Sequence, residues 1–63
     1  MATGEIIRRK RMEQGYEQQE FAEMLGISKA QMCKIETGMV VPSFPVAIAI
    51  AKKLKCTVDE LAE

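Results

Sequence analysis

The chain has 63 residues, with nine Lys plus Arg balanced by nine Asp plus Glu, no His and a formal net charge of +0. A chain this short makes one domain, residues 1–63, and buries only about 60% of the surface that its unfolded form exposes, so its core is marginal. No run of about 18 apolar residues offers a membrane span and no apolar N-terminal stretch offers an export signal, which leads us to expect a cytoplasmic protein with no membrane contact whose two cysteines, Cys33 and Cys56, stay free.

Gly15, Gly26, Gly38 and the stretch from Pro42 to Pro45 divide the chain into five short segments. The first, Gly4 to Gln14, consists of good helix formers, with Thr3 placed as an N-cap and Gly15 as a stop. Ile7 and Arg11 lie four apart on its inner face, so the aliphatic stem of Arg11 is expected to cover core. The second, Gln18 to Leu25, sets Phe21, Ala22 and Leu25 inward while Gln19, Glu20 and Glu23 face water. Gly26 permits a left-handed turn, Ile27 returns to the core, and Ser28 caps a third helix from Lys29 to about Thr37. Met32 and Ile35, with Glu36 beside them, form its inner face; Lys29, Ala30, Gln31 and Lys34 are left outside.

Ser43 is expected to cap a fourth helix that tolerates Pro45 in its first turn and runs to about Leu54. Ala47, Ile50, Ala51 and Leu54 suffice for its core stripe, yet Val46, Ile48 and Ala49 make it apolar nearly all round. Thr57 then caps a short last helix, with Glu60 three residues on as in a capping box and Leu61 turned inward. No alternating run bounded by turn residues signals a strand. The fold class read from these segments is all-α.

Function is concentrated between Gln18 and Gly38, where two short helices are joined by a tight turn containing glycine, the helix-turn-helix pattern. Once Ala22, Ile27, Met32 and Ile35 fasten the second helix to the first, its outer face must project. A glutamine amide on such a face donates and accepts toward adenine N6 and N7, a lysine donates to guanine O6 and N7, and an alanine packs on a thymine methyl. Helix N-termini at Gln18 and Lys29 add free amides for phosphate oxygens. The basic groups fall in blocks at Arg8 to Arg11, at Lys29 and Lys34, and at Lys52, Lys53 and Lys55, so a neutral chain still presents basic faces, with modest phosphate attraction.

Arg11, Gly15, the Gln18 to Gly38 stretch, Pro42, Ile50 with Ala51 and Leu54, and the closing Val58-Asp59-Glu60-Leu61 together resemble the XRE family, helix-turn-helix regulators related to phage repressor and Cro proteins. The resemblance covers almost the whole chain and implies a five-helix repressor-like domain with helices 2 and 3 as the helix-turn-helix, and double-stranded DNA as partner. It implies that Gln18 opens helix 2 and contacts a phosphate, or a base edge through a neighbour, and that Lys29, Ala30, Gln31 and Lys34 read bases or hold the backbone, giving a DNA-facing set of Gln18, Gln19, Ser28, Lys29, Ala30, Gln31 and Lys34. By the same resemblance Arg11 and Glu36 form an ion pair between helices 1 and 3 that positions the recognition helix without touching DNA. Arg8, Arg9 and Lys10 divide between phosphate contact and plain solvation.

The chain departs from that family just after the helix-3 glycine, where Met39, Val40 and Val41 replace the basic or polar residues that commonly pass a phosphate. With Val46 and Ile48 they form an apolar excess that implies a partner, either a second copy of the chain in a homodimer on a palindromic operator or a toxin gripped by an antitoxin of this fold. Catalysis is not expected. Without His, a Cys-x-x-Cys pair, a glycine-rich phosphate loop or a metal-ligand cluster, the parts for nucleophilic or metal-assisted chemistry are missing, and no metal or cofactor is anticipated.

Overall fold

In the computed structural model, which describes residues 3–61, α1 covers Thr3–Glu13, α2 Gln18–Leu25, α3 Lys29–Thr37, α4 Phe44–Leu54 and α5 Val58–Leu61. No strand occurs among the described residues, and the all-α, five-helix arrangement read from the breakers is the one observed.

Local chemistry sets the helix ends, and three of them depart from expectation: both ends of α1 and the start of α4. Thr3 lies inside α1 and does not cap it, and the helix closes one residue early, at Glu13, where the Gly15 amide donates to the Met12 carbonyl. Before α2 the cap position falls on Glu17, whose backbone amide donates to Glu20 Oε1 at 3.3 Å; two acidic residues fill a role better known for Ser or Thr. Ser43 precedes α4 without a side-chain cap bond, leaving Pro45, which has no amide to satisfy, to ease that N-terminus. At the far end of α4, Lys55 takes a left-handed conformation, φ 60°, usually held by glycine, and the Cys56 amide closes the turn onto the Ala51 carbonyl at 2.9 Å. The box expected before α5 is present in both directions, with Thr57 N donating to Glu60 Oε1 and Glu60 N to Thr57 Oγ1.

Each helix contributes to one core. Ile7 comes from α1, Phe21 and Ala22 from α2, Met32 and Ile35 from α3, Ile50, Ala51 and Leu54 from α4, and Leu61 from α5. Full burial of side chains this size contributes about 1.5–3 kcal/mol each, so the five fully buried large ones, Phe21, Ile7, Met32, Ile50 and Leu54, dominate stability. Tyr16 tilts against Phe21 with ring centroids 5.4 Å apart, and Leu25 is half-buried at the rim. Just past α1, Gln14 Nε2 donates to the Leu54 carbonyl at 2.6 Å and ties that corner to the end of α4.

Gly4 decides how α1 meets α3. A Cβ at this position would stand 2.5 Å from the Glu36 carbonyl oxygen and 2.6 Å from that of Ile35. Only a residue without a side chain allows the start of α1 to rest on the last carbonyls of α3.

Candidate nucleic-acid interface

The α2–α3 unit is joined by a tight backbone turn. Gly26 sits at φ 76° and donates to the Glu23 carbonyl, while the Ile27 amide donates to the Ala22 carbonyl at 3.0 Å. This double closure ends α2 in one turn and lets Ile27 reach the core from the far side. Ser28 opens α3 through a reciprocal box: the Gln31 amide donates to Ser28 Oγ at 3.1 Å, and the Ser28 amide donates to Gln31 Oε1 at 3.0 Å.

The inner side of α3 is held by charge as well as by packing. Arg11 Nε donates to Glu36 Oε2 at 2.7 Å and its Nη2 to Oε1 at 3.2 Å, a two-pronged contact between buried groups. Arg11 Nη1 donates to the Tyr16 carbonyl at 2.7 Å, so the guanidinium also pins the α1–α2 loop. Gln18 Nε2 completes the carboxylate shell by donating to Glu36 Oε1 at 3.1 Å. One buried carboxylate therefore links the end of α1, the start of α2 and the end of α3. Among the described residues no buried side-chain nitrogen or oxygen lacks a partner, which is the condition for a buried ion pair to be tolerated.

The residues expected to face DNA fall into two groups. Lys29, Ala30, Gln31 and Lys34 lie together, exposed, on the outer face of α3, and neither lysine is engaged in an ion pair among the described residues. Gln18, Gln19 and Ser28 already have partners: Gln18 the Glu36 carboxylate, Gln19 the Glu23 carboxylate at 3.0 Å, Ser28 the α3 cap. Gln18 Nε2 thus gives one bond to the fold from a half-buried position, beside the backbone amides that open α2. Glu17 and Glu20 are exposed beside them, so positive charge on this side of the molecule comes from α3. Of the α1 basic block, Arg9 reaches Glu13 at 3.9 Å along the exposed helix surface, a contact of little energetic consequence.

Past Gly38 the chain turns apolar and outward. Met39, Val40, Val41 and Phe44 are exposed at 74%, 43%, 91% and 71%. Phe44 was not singled out in the sequence; its signal was an aromatic ring at the first position of a helix whose core stripe was already complete without it. Val46 and Ile48, expected to extend this surface, are half-buried, and Val46 packs against the core. The surplus on α4 is thus smaller than its composition suggests, and the exposed patch is centred on the α3–α4 loop. A groove of about 400 Å³ runs beneath that loop between Ile7, Val40, Pro42, Ala47, Val58 and Leu61. None of the helices among the described residues is long and apolar enough to cross a membrane.

The whole arrangement has a counterpart among solved structures. In three dimensions the chain is similar to the P22 c2 repressor protein, seen in a crystal structure in complex with synthetic operator 9T in the presence of Tl+; the TM-score is 0.91 and the identity 28%, over 97% of this chain and 92% of that one. No curated protein sequence is significantly similar to the chain. The helix-turn-helix family model matches residues 7–61, a span that takes in the Arg11–Glu36 tie, the α2–α3 turn and the outer face of α3. The chain therefore belongs to the helix-turn-helix family, of the XRE type.

Proposed function

We propose that the protein is a transcriptional repressor that binds a palindromic DNA operator as a homodimer, with α3 lying in the major groove. The observation that carries this reading is the two-sidedness of α3: Met32, Ile35 and Glu36 are buried and tied, while Lys29, Ala30, Gln31 and Lys34 are exposed and serve no packing role. The likeness to the P22 c2 repressor, whose structure holds a synthetic operator, supports it. In this reading Lys29 donates to base edges and Ala30 meets a thymine methyl. Lys34 neutralises phosphate, and the amides opening α2 and α3 fix the register on the backbone.

A homodimer follows from affinity and from the exposed patch. One α3 makes few base contacts and a neutral chain gains little from phosphate, so specificity requires two copies. Pairing across Met39, Val40, Val41 and Phe44 removes the apolar patch from water, and a palindromic operator requires the two α3 helices of the pair about 34 Å, one DNA turn, apart. The same patch favours a second reading, an antitoxin-like module that grips another protein there; it predicts a monomer until that protein is added.

Selection of bound duplexes from a random pool tests the reading. The expected product is a palindrome with half-sites about one turn apart, and Lys34→Ala should bind it with a salt slope lower by about one. A pool without an enriched motif, or a slope unchanged by Lys34→Ala, overturns the proposal.

A further inference from the structure

Of the four residues on the outer face of α3, only Gln31 carries both a donor and an acceptor. Its acceptor is already in use: Oε1 takes the Ser28 amide at 3.0 Å, while its own amide donates to Ser28 Oγ at 3.1 Å. Two of the four amides that open a helix without an intrahelical partner are satisfied this way. A two-bond pairing with adenine would have to share Oε1 between the Ser28 amide and the adenine N6 amino group, or give up the cap. The two Nε2 hydrogens carry no such commitment, since no bond from Nε2 to the protein is present among the described residues.

The rest of the face has the same polarity. Lys29 and Lys34 are donors only, Ala30 is neither, and Glu36, the one carboxylate of α3, is buried and occupied by Arg11 and Gln18. Gln31 and Lys34 line one shallow cleft beside Val40 and Val46, so a donor-only lysine stands next to Gln31 and no acceptor side chain does. Guanine offers two acceptors in the major groove, N7 and O6, whereas adenine sets an amino donor beside N7 and cytosine presents an amino donor alone.

Resting on the DNA-binding reading above, we infer that Gln31 reads its base pair as a donor only, through Nε2, and selects guanine over adenine. Oε1 remains the α3 cap during recognition. Specificity and the N-terminal cap of the recognition helix thus reside in one side chain.

Gln31→Glu separates the two roles. A glutamate keeps the oxygen that accepts from the Ser28 amide, and so keeps the capping box, but replaces the outward amino group by an acceptor that suits cytosine N4. The experiment selects duplexes with the wild-type chain, Gln31→Ala and Gln31→Glu, and records helicity and thermal unfolding for each. The position whose preference collapses in Gln31→Ala identifies the pair that Gln31 reads. Wild type should prefer guanine over adenine there by about tenfold, and Gln31→Glu, folded as well as wild type, should shift the preference to cytosine. Adenine at that position in the wild-type motif, with binding weakened when its N6 amino group is removed, overturns the inference and leaves the DNA-binding reading intact. So does a folded Gln31→Glu that keeps the wild-type preference, or a Gln31→Ala motif identical to wild type. A pool that enriches nothing removes the DNA-binding reading and this inference together.

Discussion

Replacing Gly4 by alanine sets two effects against each other. Glycine in a helix is about 0.5–1 kcal/mol worse than alanine, so on propensity alone Gly4→Ala stabilises the protein. The new Cβ, however, would lie 2.5 Å from the Glu36 carbonyl oxygen, 2.6 Å from that of Ile35 and 2.8 Å from the Glu36 carbonyl carbon. Ordinary contact begins near 3.4 Å, a shortfall of about 0.9 Å, and all three atoms are backbone that no rotamer change moves aside. The start of α1 must then lift from the end of α3, which also loads the 2.7 Å bond from Arg11 to Glu36. Overpacking of this kind costs about 1–3 kcal/mol and outweighs the propensity gain, for a net loss of about 1–2 kcal/mol. In a domain this size that lowers Tm by roughly 5–10 °C, readable by circular dichroism and by a urea midpoint at unchanged m. A Gly4→Ala protein as stable as wild type, or more stable, refutes the close-approach argument.

Glu36→Ala strands a buried guanidinium and the Gln18 amide, so a loss of about 3–5 kcal/mol is expected, enough to leave much of the protein unfolded at 25 °C by urea titration; the paired change Arg11→Met with Glu36→Leu should cost far less, since no charge is left alone. Val41→Lys with Phe44→Lys, both at exposed positions, should move sedimentation from dimer to monomer with helicity preserved, and a dimer that survives both places the interface elsewhere. A thiol reagent near pH 8 should label exposed Cys33 well before half-buried Cys56, whose thiol is pushed above its ordinary pKa by burial, partly countered by Lys10, so that fewer thiolates are present at that pH. Raising the pH should narrow the gap between the two labelling rates; equal rates at pH 8 contradict the half-buried packing of Cys56 against the core.

Features written in contiguous residues were legible from the sequence. Ser28, Gly26 and the Met32–Ile35 spacing define the α2–α3 unit within a dozen residues, and the outer face of α3 follows by periodicity alone. Thr57 with Glu60 is likewise a local motif. What escaped depends on partners distant in the chain. The bond from Gln18 to Glu36 forms only because α3 brings the carboxylate within 3.1 Å, and nothing near position 4 announces the carbonyls of residues 35 and 36. Lys55 in a left-handed turn is invisible to a rule that looks for glycine, because what holds it there is the packing of Leu54 and the Cys56–Ala51 bond, not its own preference. That Ile48 is half-buried and Phe44 exposed emerges only in three dimensions, because composition shows that α4 is apolar all round but not which side its neighbours cover.

The separation between the held and the outward sides of α3 bears on how such a protein changes over generations. Lys29, Ala30 and Lys34 contribute nothing to the core, so replacing them leaves the fold close to its starting stability, and operator preference can drift one base pair at a time without an unfolded intermediate. Position 31 is under a different constraint. A residue there must also close the helix start on Ser28, and of the common side chains glutamate does so most readily in place of glutamine. The base pair under Gln31 should accordingly vary within a narrow repertoire among descendants of this sequence, while the pairs under Lys29 and Ala30 diversify freely.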